Sequence, residues 1–281
     1  MRISLVVLLG IICLSQPLWG DGLRVLTYNI HHGEGRDGAV DLDRIARVIQ
    51  SQQPDVVCLQ EVDRKMNRTG GLDMPAELSK RLSMQVAYGP NLEIDGGQYG
   101  NATLSRFTIL NYDNLRLPNV PGGEQRGALM VRLDVEGRSV DVWNTHFDLT
   151  PKARMLQAAS LLDQTAGTLC IVAGDLNETA DKPALQSLIA RMQDSGAIAG
   201  KPEEGSIGVG NKARRIDFVL LSQDLHAVSS VVVKSDEATV ASDHFPVLAV
   251  VGLPARPSNA AERGVHDLAD ERIEEAVSEG E

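Results

Sequence analysis

Cysteine, aromatic residues, basic charge and long apolar runs are all scarce in this sequence. Of 281 residues only three are cysteine, and Cys13 lies in the first twenty, leaving Cys58 and Cys170. Two cysteines cannot staple a disulfide-rich secreted mini-domain. Both fall in apolar, strand-like runs, the usual setting of buried reduced thiols. A single bridge stays open at this level, since sequence gives no distance. Aromatic residues are 4% of the chain, little material for stacking nucleic-acid bases. Lys and Arg number 27 against 38 Asp and Glu, a net charge of -11, which disfavours a protein that grips long nucleic acid by neutralising phosphates. No apolar run reaches the roughly 20 residues of a bilayer-spanning helix.

The longest such run, residues 3–14, follows Met1-Arg2 and precedes Leu18-Trp19-Gly20. A charged start, a short apolar stretch and a small residue at the cut predict a secretory signal over 1–20, and so a secreted or periplasmic protein. Ile12 before Cys13 argues against a lipoprotein cut there. Residues 253–281 hold three arginines against eight acids and are expected to form an acidic, mobile tail. Between them, residues 21–252 carry 23 basic and 30 acidic residues. That length suits one large domain, expected to be a monomer.

Within it, apolar runs predict strands over 23–30, 55–59, 99–110, 127–135, 139–144, 169–173, 215–221, 228–233 and 245–251. Asp41 is placed to cap one helix, Asp73 with Pro75 opens a second, and Thr150-Pro151 a third reaching about residue 162. A fourth is expected over 181–192. Helices flanking many strands joined by hairpin-like turns point to an α+β fold with sheet-on-sheet packing.

Polar residues recur at the ends of these apolar strands, where a charge requires a reason. Asn29 ends LRVLTYN, Glu61 ends DVVCLQE, Asn144 and His146 end VDVWNTH, and Asp175 and Asn177 end LCIVAGDLN. Asp217 stands in RRIDFVLL and Asp243-His244 opens DHFPVLAVV. Singly each is a turn or capping residue. Together, TYNIH, LQEVD, YGNATLSR, EQRGAL, NTHFD, GDLN, RIDFV and SDHFPV, in that order, resemble the endonuclease/exonuclease/phosphatase superfamily over nearly the whole domain. The resemblance implies the deoxyribonuclease-I-like fold. This is a four-layered α/β/β/α sandwich with two mixed, mainly antiparallel sheets packed face to face. It also implies cleavage of phosphoester bonds with Mg2+, or Mn2+.

A phosphodiester is anionic, so a metal that neutralises charge and holds an oxygen suits the chemistry, and one or two carboxylates suffice for Mg2+. By resemblance Glu61 is the chief metal ligand, with Asn29 beside it and Asp243 a further one. Asp175 would orient or deprotonate the attacking water, and Asn177 would bond the phosphate or water. Asp217 and His244 resemble the aspartate–histidine pair that stabilises charge on the phosphate. His146 resembles the second histidine, and either histidine could be the acid. Tyr99, Asn101 and Arg126 are placed as phosphate-binding groups, Arg126 with a surface ion pair to Glu124 as the plainer reading. The chain departs from some nucleases of the family at His31, where an acid supports the metal. A histidine there could bind phosphate, a transition metal or the distal part of the substrate, or be a solvated loop residue. Trp143 alternates to the opposite face and is expected in the core.

The fold does not fix the substrate. Acidity and few aromatics favour a small phosphoester or a lipid headgroup phosphodiester. The alternatives are a secreted nuclease on DNA or RNA, and a non-catalytic binding member of the fold.

Overall fold

The structure, a computed structural model, describes residues 22–255. The expected leader and all but the first three residues of the acidic tail lie outside the described residues. In chain order the elements are β1 (Leu23–Asn29), α1 (Leu42–Ser51), β2 (Val56–Arg64), α2 (Met74–Leu82), β3 (Gln85–Ile94), β4 (Gly97–Ser105), β5 (Thr108–Arg116), β6 (Gly127–Val135), β7 (Arg138–His146), α3 (Pro151–Thr165), β8 (Cys170–Asp175), α4 (Pro183–Ile189), β9 (Gln193–Asp194), α5 (Ser195–Ala199), β10 (Asp217–Leu221), β11 (His226–Val232), α6 (Asp236–Ala241) and β12 (Val247–Gly252). The capping residues behave as their chemistry dictates. Asp41 accepts the Arg44 N–H at 2.9 Å and Asp73 the Ala76 N–H at 3.4 Å, each satisfying an orphan donor of a first helical turn.

The strands form two six-stranded sheets, ordered β11-β12-β1-β2-β4-β3 and β5-β6-β7-β8-β10-β9. Each has one parallel pair at its centre, β1 with β2 and β7 with β8, and antiparallel neighbours elsewhere. The sheets pack face to face over Val25, Val56, Val131, Val142, Val219 and Ala249. Outside the first sheet, Ile45 and Ile49 of α1 and Leu78 of α2 cover Leu26, Tyr28 and Leu59. Outside the second, Leu161 of α3 and Leu185 and Leu188 of α4 cover Trp143, Val172 and Phe218. The four-layered sandwich is therefore observed, with Trp143 in its core. Cys58 lies between the sheets and Cys170 under the helices of the second, and both are free, so no bridge joins them.

Three differences from the sequence reading have physical causes. The strand expected over 99–110 is two, β4 and β5, in different sheets: the chain leaves one sheet at Arg106 and enters the other at Thr108. β3 gave no strand signal because Gly89 and Pro90 interrupt it, and it lies at a sheet edge where Pro is tolerated. The helix expected over 181–192 is only Pro183–Ile189, starting at its proline.

Candidate active site

Strand register assembles the site. Parallel pairing sets His146 beside Asp175, and antiparallel pairing sets Asp175 beside Asp217, so β7, β8 and β10 deliver three polar residues in a row. In the other sheet β1 ends at Asn29, level with Gln60. At that point β2 bulges: its pairing with β4 shifts between Leu59 and Val62, and Glu61 takes φ 57°. A bulge re-aims a side chain that strict alternation would send elsewhere. Beneath this layer a polar seam locks the sheets together. Asn144 Nδ2 donates to the carbonyls of Ala102 (2.9 Å) and Leu59 (3.1 Å), and Gln60 Nε2 donates to Asn144 Oδ1 (2.8 Å).

Asp175 is the hub. Its Oδ2 accepts from Asn29 Nδ2 at 3.1 Å and lies 3.5 Å from His146 Nε2 and 3.6 Å from His244 Nε2. Its Oδ1 accepts the Asn177 N–H at 2.9 Å. Burial, and then the charge of Asp217, raise its carboxyl from the ordinary range to about 7, against the opposing pull of His244 and its hydrogen bonds. His244 Nδ1 is 2.9 Å from Asp217 Oδ2. Burial opposes a charge on this imidazole, but Asp217, Asp175 and Asp243 outweigh it and raise its pKa to about 10. His244 is thus a cation at neutral pH.

His146 is its opposite. Burial, then Arg126, then His244 hold its pKa well below the ordinary value. Arg126 Nη1 is 3.0 Å from His146 Nδ1. A guanidinium only donates, so Nδ1 faces a donor. Asn177 Nδ2, which also donates to the Phe147 carbonyl at 3.0 Å, lies 3.0 Å from Nε2, so both nitrogens of the ring face donors while Nε2 also faces Asp175. Arg126 makes the expected ion pair with Glu124 at 2.9 Å as well, yet it is buried and its Nε has no hydrogen-bond partner. Arg126 thus joins the Glu124 ion pair to the buried His146. Tyr99 stacks under the Arg68 guanidinium, 5.4 Å from its ring centroid. Burial, then the Glu61 charge, raise its pKa far above the ordinary value, so its phenol stays protonated.

Three of the expected site residues make contacts of their own. The Asn29 oxygen accepts the His31 N–H at 3.0 Å, while its nitrogen donates to Glu61 Oε1 at 2.9 Å and to Asp175. It braces two carboxylates. Asn101 directs its Nδ2 to the Gly127 carbonyl at 3.1 Å, tying the sheets. Asp243 joins neither group of potential ligands among the described residues; it sits against Ser242 and acts on His244 through its charge.

Those two groups are His31, His32 and Glu61, and Asp175, Asp217 and His244, in each of which one ligand-type atom per residue lies within 4.8 Å of the others. The second is fully buried and internally paired through the Asp217–His244 hydrogen bond, an arrangement that holds a charged imidazole. The first fits a divalent ion by its donor chemistry, and the buried His32 Nδ1 there has no partner. Four of the nine non-glycine residues with positive φ among those described, His31, His32, Glu61 and Asn177, stand in this region, where local strain is commonly stored for function.

Ser206 carries no signal in the sequence. Its hydroxyl donates to Asp217 Oδ2 at 2.6 Å and receives the N–H groups of Ile216 and Asp217, both at 3.1 Å, fixing the carboxylate that charges His244. It arrives on a loop some ten residues upstream with no motif around it. A cavity of about 540 Å3 lined by Arg24, Arg138 and His226 opens at the far end of the sandwich and contains none of these residues.

Carboxylates, a charged and a neutral imidazole and a cluster of metal-type ligands at the strand ends of a two-sheet sandwich define a hydrolase. The chain belongs to the Endonuclease/Exonuclease/phosphatase family, whose profile matches residues 26–244. Members of this family hydrolyse phosphoester bonds and generally use a divalent metal, and this chain is one of them. It is similar to the uncharacterized protein YbhP of Escherichia coli, 31% identical over 173 residues, 57% of this chain and 68% of that protein. It is 26% identical over 176 residues to a 5'-tyrosyl-DNA phosphodiesterase of Caenorhabditis elegans, covering 58% of this chain and 45% of that one. Among solved structures, an endonuclease/exonuclease/phosphatase from Beutenbergia cavernae superposes with TM-score 0.74 at 30% identity, over 85% of this chain and 73% of that one.

Proposed function

We propose that the chain is a secreted, Mg2+-dependent phosphodiesterase or phosphatase acting on small phosphoesters or lipid headgroups. The observation that carries the hydrolytic reading is the convergence of Asn29, His146 and His244 on one buried carboxylate oxygen of Asp175. A carboxyl raised to about 7 is matched to proton transfer at neutral pH, so Asp175 takes the proton of the attacking water. His244, held cationic by Asp217, binds the phosphate and balances charge developing on it. His146 is a neutral ring beside the phosphate with the fixed positive charge of Arg126 behind it, and the cationic His244 is the one of the two that can give a proton to the leaving oxygen. Glu61 would hold a divalent ion, which would supply charge neutralisation to the phosphate.

Two features support a small substrate: the acidic domain and its few aromatic residues. A leader-like start supports export. One observation favours the alternative, a nuclease: the C. elegans relative is named for cleavage at a DNA end. A panel of DNA, RNA, sphingomyelin, inositol phosphates and nucleotides, each with Mg2+, Mn2+ and Ca2+, separates the readings. Plasmid and single-stranded DNA are expected to stay intact while a small phosphodiester is hydrolysed; the reverse result would give the nuclease reading. If Asp175→Ala and His244→Ala left every assayed effect unchanged, the non-catalytic reading would replace both.

A further inference from the structure

We infer that His31 and His32 complete the metal site with Glu61, making it a two-histidine, one-carboxylate centre that prefers a transition-metal dication to Mg2+. It shares with the reading above a metal at Glu61 and departs from it in the ion, taking a transition-metal dication in place of Mg2+. One ligand-type atom from each of the three residues lies within 4.8 Å of the other two. The adjacent hydrogen bonds decide what the imidazoles present. His31 Nδ1 is 3.3 Å from the Glu34 carbonyl oxygen, which only accepts, so that nitrogen carries the proton and Nε2 keeps its lone pair. His32 Nε2 is 3.4 Å from the Glu34 carboxylate, so its proton sits there and the lone pair is on Nδ1.

That Nδ1 is buried and has no hydrogen-bond partner, in a residue only 9% exposed. A lone pair without a donor is costly to bury, and a cation is the partner that answers it. Lone pairs also repel phosphate oxygens, which argues against these rings as direct phosphate contacts. A carbonyl and a carboxylate holding the far N–H of each imidazole are the usual outer partners of metal-ligating histidines. Imidazole suits Zn2+, Fe2+ and similar ions, whereas Mg2+ takes oxygen ligands. Two histidines and a glutamate leave coordination positions for water and a phosphate oxygen, as in catalytic zinc sites.

The test uses the full chain, stripped with chelator. Titration calorimetry with Zn2+ and with Mg2+ compares the wild type with His31→Asn, His32→Asn and Glu34→Gln; Asn is chosen because both histidines have φ near 45° and Asn tolerates that region. Zn2+ affinity is expected to fall at least tenfold in either histidine variant and to fall less in Glu34→Gln. Electron spin-echo spectra of the wild type loaded with Mn2+ read nitrogen ligation directly and do not depend on a variant folding. Histidine 14N coupling is expected. Its absence, or unchanged Zn2+ affinity in both histidine variants that melt like wild type, overturns the inference. Loss of inorganic phosphate binding in those variants with Zn2+ affinity intact also overturns it. Nitrogen-ligated metal together with no hydrolysis of any panel substrate would sink the proposed function and leave this site standing.

Discussion

At the residue scale the two histidines facing Asp175 are set in opposite charge states by their partners. His244 has carboxylates around it, and His146 has a guanidinium. Replacing Asp175 or His244 by alanine is expected to lower kcat at least about a hundredfold, the usual order for a proton-transfer or charge-stabilising group, in steady-state assays at saturating metal. Glu61→Ala is expected to raise the metal concentration needed for half-maximal rate. A metal titration curve identical to wild type would remove Glu61 from the ligand set. Arg126→Gln takes away a cation that depresses His146, so the His146 pKa rises. If neutral His146 is the working form, the acid limb of the kcat/KM profile moves to higher pH, and an unmoved limb would show that the ring's charge state does not matter.

Those residues were legible because each is a polar residue closing an apolar strand, within motifs that occur in family order. Ser206 was not, and neither was the role of Glu34. Their importance comes from a loop folding back on Asp217 and from a turn folding back on two rings, contacts with no periodicity to betray them. The contacts of Asn29, Asn101 and Asp243 were not legible either, since sequence does not say which end of a carboxamide faces a neighbour or how far a carboxylate reaches.

At the element scale, what positions the chemistry is backbone proximity between strands. Gly174, one residue before Asp175, has φ 156°, and a Cβ there would fall 1.9 Å from the Thr145 carbonyl oxygen of β7. That atom belongs to the ladder that aligns His146 with Asp175, so it cannot move without moving the site. Gly174→Ala is expected to cost about 4 kcal/mol or more, beyond the common range for point changes, with midpoint loss measured by urea unfolding. The seam gives a second test. Asn144→Leu keeps the volume but strips two carbonyls and Gln60 of their partner. Each buried group left unmet costs about 1–3 kcal/mol, so the urea midpoint is expected to drop clearly. Elements with long apolar runs or a capping acid were readable in advance. β3, with its internal Gly and Pro and its half-exposed face, was not, and the junction of β4 with β5 was hidden because apolar residues continue straight through the change of sheet.

At the scale of the whole molecule, buried ionisable groups tie stability to pH. His146 and His32 have pKa values below those of the unfolded chain, so protonating them favours unfolding, and stability rises as pH climbs towards about 6.5. His244 works the other way. Its raised pKa stabilises the fold fully below its unfolded value near 6.5, and that contribution is lost as pH rises through about 10. Asp175, raised to about 7, opposes the two depressed histidines below neutrality, because its stabilising proton is lost as pH climbs to about 7; metal-free protein is therefore expected to show its clear decline in Tm from pH 7 to 10. Asp217→Asn should flatten that decline, and an equally steep slope in the variant would refute the assignment of His244.

The first sheet has a consequence in time. β1 pairs with β12, Leu23 against Val251, and the site takes Glu61 from an early strand and His244 from the segment just before the last one. Such distant pairings form late. A chain still being synthesised, with its final strand inside the ribosome, has every early motif in place and no assembled centre. The site is therefore completed only when almost all of the domain has emerged, so the order of the strands times the onset of hydrolysis.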